Sequence, residues 1–153
     1  MLKKILIAIL LVLLVVQFIR PGRNRASAKD NNDISNIYNV PGDVQSILAK
    51  ACNDCHSNNT SYPWYTNIQP LGWWLQHHID EGKEELNFSV FGSYKPKKQA
   101  HKLEEVAELV KSSEMPLSSY TLIHKNARLT DEEKDILLSW SEDLRRKILQ
   151  QVQ

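Results

Sequence analysis

The hydrophobic positions fall into two regimes. Residues 5–16 form an unbroken apolar run, Ile5-Leu-Ile-Ala-Ile-Leu-Leu-Val-Leu-Leu-Val-Val16, extended past Gln17 by Phe18 and Ile19. Lys3 and Lys4 precede it, and Arg20, Arg23 and Arg25 follow. A short positive region before such a run is the layout of a secretory signal or signal anchor, here residues 1–19. At about 1.5 Å per residue, residues 5–19 reach roughly 22 Å, short of a hydrocarbon core of about 30 Å. Leu2 and snorkelling lysines narrow that gap. A buried core helix is the competing reading, and charged flanks argue against it. Cleavage stays open: Ala26-Ser27-Ala28 has the small-x-small form of a cleavage site, yet three arginines separate it from the run. Basic residues on both flanks leave orientation open. No cysteine follows the run, which excludes a lipoprotein anchor.

The second regime begins near residue 40, where apolar positions recur at helical spacing. Before it, residues 20–39 are polar, start with Pro21 and Gly22 and show no period, so they predict a polar linker. Pro41-Gly42-Asp43 opens a short helix with Val44, Ile47, Leu48 and Cys52 on related faces. A polar loop, residues 57–63, leads to the aromatic stretch Trp64, Tyr65 and Pro70-Leu-Gly-Trp-Trp74, then to a helix ending near Gly82. Pro96 suits a first helical turn, and Leu103, Val106, Ala107 and Val110 form a stripe after it. Thr130 with Glu133 three residues later predicts a capping box. It starts a last helix with Leu137, Trp140, Leu144 and Ile148 on one face. No useful run alternates with period two, so the expected fold is an all-α domain over residues 40–150.

Charge removes one class of partner. A formal net charge of +1 gives no basic field for phosphates, so nucleic acid is excluded. The two cysteines, Cys52 and Cys55, sit three apart, and a disulfide framework would need more of them, spread along the chain. They serve one local site.

That site is Cys52-Asn-Asp-Cys55-His56, the C-x-x-C-H attachment signature of c-type haem. The spacing puts both thiols on one side of a helical turn, where they reach two vinyl groups on one porphyrin edge. His56 is carried under the ring as the proximal iron ligand. Two other readings compete. A thioredoxin-like pair wants a strand before its helix, and no βαβ pattern is present. A structural zinc site wants four ligands, and His77 and His78 come without cysteines.

Met115 is the only methionine beyond the initiator and is followed by Pro116. The order of haem motif, helices, Met-Pro loop and a last helix opened by Leu129-Thr130-Asp131-Glu132 resembles small class I cytochromes c. It makes Met115 the candidate distal ligand, against the plainer reading of gap-filling core. His77, His78, His101 and His124 compete for the position, His78 and His124 most strongly. For the second ring nitrogen of His56, a proline carbonyl after the motif often serves in such cytochromes, which nominates Pro70 and then Pro63.

The residues also resemble a family. Cys52-x-x-Cys-His56-Ser57-Asn58, Thr60-x-Tyr62-Pro63-Trp64-Tyr65, Pro70-x-x-Trp73, Gly82 and Leu86-Asn87-Phe88-Ser89 are similar to the small bacterial haem-binding domain proteins. Glu114-Met115-Pro116, Tyr120, His124, Ala127-Arg128-Leu129-Thr130 and Glu133 continue the match across most of residues 40–145. The resemblance implies haem binding through the C-x-x-C-H motif and commonly an N-terminal membrane segment; it implies no reaction.

The expected molecule is thus a cytochrome c-like helical domain around one haem c, exported to the bacterial periplasm and tethered to the inner membrane by residues 2–19. Its expected work is one-electron transfer to an unidentified redox partner protein, without enzymatic turnover. The alternative is a haem-based sensor or haem-binding module with an exchangeable sixth ligand. A thiol oxidoreductase is a third class. Tyr62, Trp64, Tyr65, Trp73 and Trp74 are expected mostly as core or haem-pocket wall. Lys95, Lys97, Lys98 and Lys102 are expected as a solvated face, or as a guide for an acidic partner or lipid headgroups.

Overall fold

The computed structural model describes residues 1–151. Every regular element in it is helical, and the lone β-type pairing is an isolated Arg25–Asn59 bridge. The all-α expectation holds.

Helix α1, Leu2–Val16, has no buried residue, and its leucines, its isoleucines, Val12 and Val15 stand in the open. No helix among the described residues is long and apolar enough to cross a membrane. The stretch 20–39, expected as a polar linker, is hydrogen-bonded to the rest of the chain. Asn24 Nδ2 donates to Ser57 O at 2.8 Å and Thr60 Oγ1 at 2.9 Å, and its backbone N–H donates to Tyr62 Oη. Ala26 N–H donates to Asn58 O. Asp33 then caps α2, Ile34–Ile37, through Ser35 N, and buries Ile34. These anchors are isolated side chains and backbone groups, which produce no period along the sequence.

The core is built by three amphipathic helices. In α3, Gly42–Ala51, Val44, Ile47 and Leu48 are buried. Pro96 occupies the first turn of α6, Pro96–Lys111, where its missing N–H costs nothing, and Leu103 and Val110 face inward. The final helix α8, Asp131–Gln150, carries the expected capping box, with Thr130 and Glu133 each accepting from the other's backbone N–H. Its Leu137, Trp140, Leu144 and Ile148 are all buried. Helices α6 and α8 pack along each other, α8 also packs against α3, and the three share one buried cluster that takes in Phe88 and Phe91.

The motif lies on a separate short helix, α4, Asn53–His56, which follows α3 at Cys52. It rests on α5, Leu71–Glu85, one turn longer than the sequence suggests. A last short helix, α7, Ser118–Ile123, follows the Met115-Pro116 loop.

Candidate functional site

One cavity of about 640 Å³ opens between α4, α5, α6 and the loop leading to α7. That size is ordinary for a small-molecule or cofactor site. Cys52, Cys55, His56 and Met115 all line it, so the structure brings the four candidate residues to one space. Ala51, Leu86, Val106, Leu109, Leu117 and Leu129 supply much of the apolar wall.

The motif is held from both sides. On one side α5 comes very close: a Cβ on Gly82 would lie 3.0 Å from Cys55 O. On the other, Asp54 is bound by its neighbours. Its Oδ2 accepts from Tyr120 Oη at 2.7 Å and its Oδ1 from Ser61 N, while Thr60 Oγ1 donates to its carbonyl. The loop after His56 is tied down through Asn58, whose N–H donates to Ser89 Oγ and whose Oδ1 accepts from Asn87 Nδ2.

The His56 ring is oriented by backbone. Its Nδ1 lies 2.9 Å from Gly82 O and 3.0 Å from Leu86 O, at the last turn of α5, and Phe88 meets the ring edge-on. With Nδ1–H donated there, Nε2 is the nitrogen left to act as a ligand. The Pro70 and Pro63 carbonyls nominated from sequence do not serve. Pro70 O accepts from Trp74 N, and Pro63 O from Thr66, within their own turns. Both are used locally, and α5 returns its far end to the motif instead.

Both cysteines are free. Desolvation, and then the neighbouring Cys55, pushes Cys52 up to about 12; desolvation, and then Asp54, pushes Cys55 up to about 11. They stand as neutral thiols at pH 7. Both shifts run opposite to the lowered thiol pKa that a disulfide-exchanging C-x-x-C pair uses.

A model of the haem-binding domain family matches residues 11–143. The chain belongs to this family. No curated protein and no solved structure matches it. Binding haem is the family's property, and the cavity suits it. Two thiols, an imidazole with one nitrogen uncommitted, and a thioether face a largely apolar space. Zinc fits less well, because no three His, Cys, Asp or Glu side chains among the described residues gather to hold a metal ion.

The competing histidines separate. His78 lines the cavity, with Nδ1 toward Trp74 O and its ring packed on Trp74. His124 does not line it. Its Nε2 lies 2.6 Å from Tyr65 Oη, and its ring stacks on Tyr120. His77 pairs with Glu81, and His101 with Glu104 and Glu105, on the surface.

Two other expectations change. None of the five aromatics from Tyr62 to Trp74 reaches the cavity, and Trp64 is 76% exposed and Trp74 43%. Phe88 and Tyr120 are the aromatics of the cavity wall. Lys102 leaves the basic cluster, being buried between Glu85 and Glu105. Desolvation works against its charge, but hydrogen bonds to Glu105 and Glu85 outweigh it and raise its pKa. Lys95, Lys97 and Lys98 remain exposed.

Proposed function

We propose that the domain carries one haem c and passes single electrons, held at the periplasmic face of the inner membrane by α1. The observation that supports this reading is the shared cavity of Cys52, Cys55, His56 and Met115. In it, Cys52 and Cys55 would hold the group through thioether bonds and the Nε2 of His56 would bind its iron. Met115 would offer its sulfur to the same iron. Bound haem supplies a one-electron iron couple, and a thioether ligand raises its potential relative to bis-histidine ligation. The remaining residues orient and shield. Gly82 and Leu86 carbonyls fix the imidazole, Tyr120 holds Asp54 and with it the motif helix, and the leucines exclude water.

An optical spectrum of the protein matured in a haem-attaching periplasm tests the assignment. The account expects a near-infrared Met–iron band that disappears in Met115→Ala, and slow carbon monoxide binding to the reduced wild type. An unchanged spectrum in Met115→Ala removes Met115 from the site. Rapid carbon monoxide binding to the wild type favours the sensor with an exchangeable ligand.

A further inference from the structure

The face that carries the end of α1 also carries an apolar surface unused by the haem site. Gln17, at the end of α1, pairs reciprocally with Gln69: Gln17 Nε2 donates to Gln69 O at 3.1 Å, and Gln69 N–H to Gln17 Oε1 at 2.9 Å. Trp73 Nε1 donates to Ile19 O at 2.7 Å, and Arg23 bonds Asn67. Residues 17–23 are therefore seated on the segment from Asn67 to Trp73, and α1 leaves the domain from there. Around this seat stand Trp64, Ile68, Leu71 and Trp74, exposed by 76%, 45%, 49% and 43%.

We infer that this face is a lipid-docking surface, seated in the headgroup region of the membrane that α1 enters. The inference rests on the reading of α1 as a membrane anchor. Three arguments name lipid as the occupant. Continuity comes first, because an inserted α1 brings the residues hydrogen-bonded to its end down to the surface with it. The second is length: the 15 residues of α1 rise about 22 Å against a core of about 30 Å, a deficit of roughly 8 Å. Such a mismatch is relieved when flanking residues are drawn into the interface, and tryptophan is the side chain that sits best there. The third is charge, since Arg20 and Arg23 adjoin the seat and attract anionic headgroups. Trp74 also packs on His78, which lines the cavity, so docking holds the haem site beside the membrane.

The test uses the full chain with phosphatidylcholine/phosphatidylglycerol vesicles whose lipids carry bromine near the glycerol backbone. Flotation with the vesicles reports the α1 anchor, and bromine quenching of tryptophan emission reports docking. The expected result is flotation with strong quenching, most of which is lost in Trp64→Phe/Trp74→Phe and kept in Trp140→Phe. Those exposed positions tolerate phenylalanine, so folding is not at stake. Flotation with quenching unchanged in the double variant, or absent in the wild type, overturns docking and leaves the anchor standing. A Trp64 emission that ignores bromine but shifts with protein concentration assigns the face to a second copy and also overturns it. Failure to float overturns the anchor, and the docking surface with it.

Discussion

Gly82 tests how the motif is held. A methyl group there would stand 3.0 Å from the Cys55 carbonyl oxygen and 3.1 Å from Cys55 Cβ, tighter than ordinary van der Waals contact. Both atoms belong to the motif helix, so no side-chain rotation relieves the clash. Overpacking of this kind costs about 1–3 kcal/mol, whereas alanine for glycine inside a helix returns roughly 0.5–1 kcal/mol. The expected net loss centres on about 1 kcal/mol, or a fall in Tm of about 2–4 °C for a chain of this length. Gly42 has nothing within 4 Å of an added Cβ, so Gly42→Ala is the unhindered control. Gly72→Ala sets the severe end, because its Cβ would lie 2.4 Å from Thr66 O. Urea denaturation of the three variants at constant m-value reads the series. The Gly82 carbonyl also accepts from His56, so displacing it makes the imidazole less basic and raises the potential of the loaded protein. If Gly82→Ala proves as stable as Gly42→Ala, with an unchanged potential, the close approach of α5 to α4 is not what holds the motif.

Two further outcomes concern the scaffold. Ser141 is fully buried with an unpartnered hydroxyl, so Ser141→Ala should raise stability by about 1 kcal/mol in urea denaturation; a loss of stability would mean that the hydroxyl is satisfied. The hydrogen bond from Lys50, and then the Thr130 backbone N–H, holds the Glu133 carboxyl below the ordinary value of 4.5. Because the folded pKa is depressed, the contribution is present above 4.5 and is lost as pH falls through the folded value. Glu133→Gln should therefore show a smaller acid-side drop in denaturation midpoint than wild type, and an identical drop would contradict the assignment.

Much of the fold is legible in the sequence because its main helices announce themselves. The stripe of Leu137, Trp140, Leu144 and Ile148 and the Thr130–Glu133 box are local patterns, and both hold. The anchoring of residues 20–39 is not local. It depends on Asn24 meeting Ser57 and Thr60, and nothing in a polar stretch distinguishes the asparagine that will be used. The acceptors of His56 are hidden for another reason. They are backbone carbonyls, selected by where α5 ends, and the one sequence signal for them is Gly82 inside an otherwise well-formed helix. The aromatic stretch misleads because Trp reads as core in a sequence pattern, while Trp64 stands on an open face. Spacing nominates Cys52, Cys55 and His56, and chain order nominates Met115 with His78 as a competitor; what the sequence hides is that all five line one cavity.

The central claim is that haem is attached through Cys52 and Cys55. Intact-mass measurement under denaturing conditions, on protein matured in a haem-attaching periplasm, tests it most directly. The account predicts a polypeptide heavier by one haem, and loss of that increment in Cys52→Ala/Cys55→Ala. A bare polypeptide mass, with all haem extracted into acidified organic solvent, would contradict it.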